Sequence, residues 1–304
     1  MMLRDDRRAC PGRDVARESR GEPTTFHVPA YRGGGNRARL LRTCVACTAL
    51  LLGAALAGQL LASRAGSTDF TAKMLAPCLA HPFGTDQMGR DMLARTLSGL
   101  STSLFVGLCA SVASAVISLV LAVVAAYGGR AADACVSWLT DLVMGIPHIV
   151  LLMLISYALG RGFWGVTVGV ALTHWPSLAR VLRAELMQAR RERYIEVSEA
   201  LGVSRARIAL RHLVPAVVPQ LVVGAVLSFP HAILHEASIT FLGFGLSPDE
   251  PAIGVILAES MGYLTAGAWW LALLPGAALV GCVLLFDAMG SALRRLVDAR
   301  TSQE

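Results

Sequence analysis

Lysine is almost missing from this chain: of its 27 basic side chains, Lys73 in "DFTAKML" is the single lysine. A phosphate-binding loop of the GxxxxGK[ST] kind needs a lysine after a glycine-rich turn to reach the terminal phosphates. The chain therefore has no such ATPase site of its own. Charge of either sign is scarce as well, at 16% of 304 residues, where soluble domains carry about a quarter. With 55% hydrophobic residues, the composition is that of a membrane protein. "HEASI" at 235–239 opens like a zinc-protease helix, but the position of the second histidine is Ile239. An intramembrane Ser/His protease is a remote alternative resting on "GLSTS" (99–103) and histidines within apolar stretches, without a recognisable nucleophile motif. Cys44 and Cys47 stand in CxxC spacing inside an apolar run with no second pair, so they read as small packing residues.

What the chain has in abundance is apolar runs. Six stretches are long enough to cross a bilayer, about 43–62, 102–127, 137–159, 163–182, 216–237 and 267–287. Before them, 1–39 is polar, mixed in charge and glycine-rich, and reads as a disordered tail. A domain over 40–297 follows, with a short tail at 298–304. With the N-terminus placed in the cytoplasm, only Arg64, Lys73, Arg90, Arg95 and Arg161 fall outside among the 27 Lys and Arg. Retention of positive loops inside predicts cytoplasmic termini in a multi-pass protein, and a composition rich in arginine and alanine with almost no lysine suggests a GC-rich bacterial genome, hence a bacterial inner membrane. The formal charge of +6 is explained by that topology and by contact with lipid, without nucleic acid as a partner.

One segment breaks the apolar pattern. "YIEVSEALGVSRARIALRHLVP" (194–215) carries Glu196, Glu199, Arg205, Arg207 and Arg211 between two long apolar runs. Glu196 to Leu201 and Ser204 to Leu210 each read as a short helix, with Gly202 bending the chain between them. Ile195, Leu201, Ile208 and Leu210 offer apolar contacts. On these residues alone the segment is either a solvated loop with snorkelling arginines or a docking element. Its spacing resembles the Glu-Ala-Ala coupling loop of ATP-binding-cassette (ABC) importer permeases, with Glu196, Val197 and Ser198 in the first three positions, then Gly202 and Pro215. Both alanines of that pattern are replaced.

Two further stretches are similar to the dipeptide, oligopeptide and nickel branch of that family. "HPFGTDQMGRDMLARTLSGLSTSL" (81–104) matches at Gly84, Thr85, Asp86, Gly89, Arg90 and Asp91, and "SITFLGFGLSP" (238–248) at Gly243 and Gly245. Read physically, Gly84 and Gly89 permit a turn, while Asp86 and Asp91 cap or pair with Arg90 and Arg95. Gly243 and Gly245 suit a non-helical segment at the outer end. The resemblance implies an all-α membrane protein with six transmembrane helices and a cytoplasmic coupling helix, the type I ABC importer permease fold. It also implies a heterodimer with a second permease subunit, two ABC ATPase subunits that bind ATP and Mg, and an extracytoplasmic solute-binding protein. This chain would hold no cofactor and catalyse nothing. The coupling loop would cover 183–214, with Glu196, Glu199, Ala200, Gly202, Arg205 and Pro215 as its working residues.

The branch divides between nickel, free or chelated, and short peptides. His174 in "LTHWP" and His231 and His235 in "FPHAILHE", with Glu236 beside them, are the candidate substrate pathway. In a helix His231 and His235 share a face, and neutral imidazoles suit nickel. In the other reading each histidine bonds a backbone carbonyl or a neighbouring span, and His148 after Pro147 is placed with these packing residues. The histidines, and the absence of Trp-Gly in "PDEPAIG" (248–254), raise nickel to a par with peptides, so the expected cargo is nickel or short peptides, with a peptide-only permease as the alternative. No firm set of metal ligands follows.

Overall fold

The computed structural model describes residues 34–297. The expected tails, up to residue 33 and from 298, lie outside the described residues. Within them the regular elements are helices, separated by loops of which 66–91 is the longest: α1 (Gly34–Leu60), α2 (Ala62–Ala65), α3 (Met92–Tyr127), α4 (Gly129–Gly145), α5 (His148–Ala158), α6 (Gly162–Ala189), α7 (Arg193–Ala200), α8 (Arg205–Ile208), α9 (Val214–Phe241), α10 (Ile253–Leu264) and α11 (Trp270–Val297). A π-helical turn over Ala209–Leu213 joins α8 to α9, so that Arg205–Phe241 runs as one helix of 37 residues.

The six predicted spans become four or five. Arg37–Leu60, α3, Arg205–Phe241 and α11 are long and apolar enough to cross a membrane, and α4 with α5 adds a fifth if the bent pair counts as one. The predicted third span, 137–159, is broken between Gly145 and His148, where the two helices meet at 96°. Pro147 is the cause: it forces Ile146 into an extended conformation, ψ 136°, and ends α4. The predicted fourth, 163–182, lies in α6, whose 28 residues would reach across a bilayer at about 1.5 Å each. Its apolarity is diluted by Gly165, Thr167, Gly169, Thr173, His174 and Pro176, five of which are buried against the bundle. Helix α10, twelve residues long, was not expected.

Helix α3 is the centre, packed against α1, α6 and α9. Its buried face is built of small residues, among them Gly107, Ala110, Ser111, Ser114, Ser118 and Ala122. Such residues let helix backbones approach closely where no hydrophobic force separates protein from lipid. The hydroxyls tie the bundle: Ser111 donates to the Ala225 carbonyl at 2.8 Å and Ser118 to that of Trp175 at 2.9 Å. The opposite face, Leu108, Val112, Val116, Val120 and Val124, is exposed at four-residue spacing. That stripe has the chemistry of a lipid-facing surface.

Candidate functional site

Four groups of residues were expected to matter, and the structure separates them. The first lies in the loop leading into α3. Asp86, 2% exposed, accepts hydrogen bonds from the backbone amides of Met88 (2.8 Å) and Arg90 (2.9 Å). Its carboxylate also pairs with Arg90 Nε at 2.6 Å and with the buried Arg95 at 2.9 Å. Glu259 in α10, absent from the sequence expectation, completes the network at 3.0 Å from Arg95 and 3.4 Å from Arg90. Asp91 is the N-cap of α3, accepting from the amides of Leu93 (2.8 Å) and Ala94 (3.1 Å). Its second oxygen lies 2.9 Å from His81 Nδ1. Thr85 closes the loop by donating to the Ala72 carbonyl and accepting from the Leu75 amide. Gly84 and Gly89 both have positive φ, and a Cβ on Gly89 would overlap the Asp69 carbonyl oxygen. Nearby, hydrogen bonds from Thr71 to Asp69 hold that exposed carboxyl below the usual range.

The second group ends α9. Gly243 has φ +84°, and its amide and that of Phe244 bond back to the carbonyls of Thr240 and Ile239. This is a Schellman motif, and it turns the chain out of the helix. Phe244 and Gly245 are then held by α5 and the α5–α6 turn, through Ser156 Oγ (2.7 Å) and the Gly162 amide (3.0 Å).

The charged segment is the third. Helix α7 also ends in a Schellman motif: Gly202, φ +78°, bonds to the Glu199 carbonyl at 3.0 Å, and Val203 to that of Ser198 at 3.1 Å. Ile195 and Ile208 are fully buried in a cluster with Leu182, Leu186, Leu213 and Val217. Tyr194, Val197, Leu201 and Leu210 are exposed, as are Glu196, Glu199, Ala200, Arg205 and Pro215. Of the four apolar contacts expected here, two thus anchor the segment and two point away from the bundle. The latter form an unpaired apolar and charged surface on a short helical elbow.

The histidines converge on a cavity of about 550 Å³ at the break between α4 and α5. Its lining includes His148, His174, His231, His235, Ser177 and Ser228. His148 is the first residue of α5, and its Nε2 is buried without a hydrogen-bond partner. His174 Nδ1 lies 2.9 Å from the Val170 carbonyl, an acceptor only, so Nδ1 carries the ring proton. The ring centroids of His148 stand 4.7 Å from His174 and 4.4 Å from His235, and those of His174 and His235 are 5.1 Å apart. The expected same-face pair, His231 and His235, both line the cavity. Glu236 does not: fully buried on another face of α9, it accepts from Thr240 Oγ1 at 2.9 Å. His148, read as a packing residue, belongs to the cluster. Its distance in sequence from His174 and His235 left no spacing from which that could be read.

The structure thus combines helices long and apolar enough to cross a membrane, a surface-open cavity lined by histidines, and a charged elbow anchored by Ile195 and Ile208 with its outer face exposed. The sequence carries no phosphate-binding loop of the GxxxxGK[ST] kind. Residues 115–303 match the family model for the binding-protein-dependent transport system inner membrane component. A putative peptide permease protein of Brucella suis is 37% identical over 235 residues, 76% of this chain and 77% of the relative. The probable D,D-dipeptide transport system permease protein DdpC of Escherichia coli is 31% identical over 232 residues, 76% and 78% of the two chains. Among solved structures, the MetNI methionine ABC transporter in inward-facing conformations aligns with TM-score 0.55 and 22% identity, over 68% of this chain and 97% of that one. That last likeness supports the fold alone. The chain belongs to the family of binding-protein-dependent ABC transport inner membrane components. It is a non-catalytic permease subunit, and ATP is handled by separate ATPase subunits.

Proposed function

We propose that this chain is one of two permease subunits through which an ABC importer carries short peptides into a bacterial cytoplasm. The observation that carries the cargo is the relatives: the Brucella and Escherichia coli proteins are named for peptide or D,D-dipeptide transport. They favour peptides over the nickel expected from the histidines. In this reading both termini and the α7–α8 elbow lie on the cytoplasmic side, which the concentration of Arg in those segments supports. There the ATPases grip the exposed surface of Tyr194, Val197 and Leu201, with Glu196, Glu199, Ala200 and Arg205 around it. Because Arg205–Phe241 is one helix, a displacement of the elbow is carried along α9 to His231 and His235. At about 1.5 Å per residue, that lever is roughly 40 Å long from Ile208 to His235. The pathway residues would be His174, His231 and His235, with Glu236 holding α9 in place from its buried side. Access alternates because the ATP-bound partners prefer one of the two states.

Uptake of a labelled dipeptide and of nickel should be compared in cells with the whole transporter and in cells lacking only this subunit. Dipeptide uptake is expected to fall to background without it. Dipeptide uptake that persists unchanged, with nickel uptake lost, would overturn the peptide reading.

A further inference from the structure

The histidine cluster has a chemistry that metal-free peptide passage does not use. Three imidazoles from three separate helices, α5, α6 and α9, present one nitrogen each, all within 4.8 Å of one another. Nitrogen ligands about 2.0–2.1 Å from a tetrahedral ion stand roughly 3.3 Å apart, so side-chain rotation of about an ångström per ring closes the set. The protonation pattern already fits. His174 gives its Nδ1 proton to the Val170 carbonyl and leaves Nε2 as a bare lone pair, the outer-shell arrangement that orients metal-bound histidines. His148 Nε2 is buried with nothing to bond. Thr173 Oγ1 lies 3.3 Å from the same His174 Nδ1 and adds to its support. No carboxylate lines the cavity, so the donor set is all imidazole, which suits late first-row divalent ions and not magnesium or calcium.

Three protein ligands leave coordination positions open, as in sites where a metal accepts a further ligand. The cavity is far larger than an ion: about 550 Å³ lies within the range of small-molecule pockets. Ser177 and Ser228 line it and supply polar atoms beside the rings. The geometry points to a site for a metal chelate, in which His148, His174 and His235 hold a late first-row divalent ion whose remaining positions are filled by a short peptide. The peptide's terminal amine and neighbouring carbonyl or carboxylate oxygen are the chelating atoms. This rests on the peptide permease reading and narrows its cargo to peptides that arrive with a metal.

The test uses the purified whole transporter, titrated with Co(II) followed by its visible absorption. A dipeptide is then added. One ion is expected per copy of this chain, bound more tightly when the dipeptide is present. His174→Gln and His235→Gln are each expected to weaken binding at least about a hundredfold, beyond the ~10–100-fold that loss of an outer-shell partner costs. His231→Gln should change it less than about threefold. ATP hydrolysis stimulated by the binding protein shows whether each variant is assembled. Binding that is absent, or indifferent to the histidine substitutions in assembled transporter, overturns the site. A dipeptide that strips the ion from the protein overturns the chelate. Metal-free dipeptide uptake separates the two readings: if it proceeds while no metal binds, the permease assignment stands and this site falls. If metal binds but no peptide form is carried, the site stands as a metal site and the peptide cargo falls.

Discussion

Gly202→Val is expected to abolish uptake, by tenfold or more, while the chain still inserts and assembles. Gly202 sits at φ +78° as the turn that ends α7, and no atom lies within 4 Å of where a Cβ would be. Crowding is therefore not the obstacle. An L-residue in the left-handed region costs roughly 1–2 kcal/mol, and a β-branched one is a genuine outlier there. Helix α7 has eight residues, too few to persist on its own, and Ile195 is its one buried anchor. The strain is relieved by reorienting α7 against α8, which removes the surface offered to the ATPases. Gly202→Asn should retain most uptake, because Asn tolerates this conformation. Initial uptake rates, normalised to the amount of subunit in the membrane, decide the matter. Full transport by the valine variant would mean that the elbow's shape is not what the ATPases grip.

Asp86→Ala is expected to cost the most stability. It removes the more buried of the two carboxylates beside Arg95, whose side chain is 6% exposed, and Arg90, leaving them only the part-exposed Glu259, and it deprives two backbone amides of their acceptor. Breaking a buried ion pair from one side costs about 3–5 kcal/mol when the remaining charge has no other partner; here Glu259 compensates in part, and the two amides left without an acceptor add to the cost. Little or none of the variant should accumulate in the membrane, and what does should melt many degrees lower. Glu259→Ala should be milder, since Glu259 is 30% exposed and Arg95 keeps Asp86. A melting temperature for Asp86→Ala within a few degrees of the parent would show that the network is not structural.

The long apolar runs were legible because a helix satisfies its own backbone in lipid: α1, α3, α9 and α11 each overlap a predicted run, though α3 starts ten residues before its run and α11 ends ten after it. The break at Pro147 was not, because apolar residues on both sides hid a turn that the proline alone announced. Helix α6 has the length of a span but not the apolarity of the other four, because Gly, Thr, His and Pro positions on its protein-facing side dilute it. Local motifs fared well. The turn glycines 84, 89, 202 and 243 all have positive φ, and Asp91 caps its helix. Contacts between distant segments left no trace in the sequence. Glu259 meets Arg95 across 164 residues, and His148 reaches its partners only because α4 and α5 fold back at 96°.

The most direct test of the account is a photo-reactive side chain at Leu201, 78% exposed on the elbow, in the assembled transporter. A second probe at Leu79, exposed in the loop before α3, serves as the opposite-side control. The account predicts that Leu201 labels an ATPase subunit, with a yield that changes between nucleotide-free and ATP-bound states, and that Leu79 does not. Labelling of lipid alone from Leu201, or equal labelling of the ATPase from both positions, would contradict it.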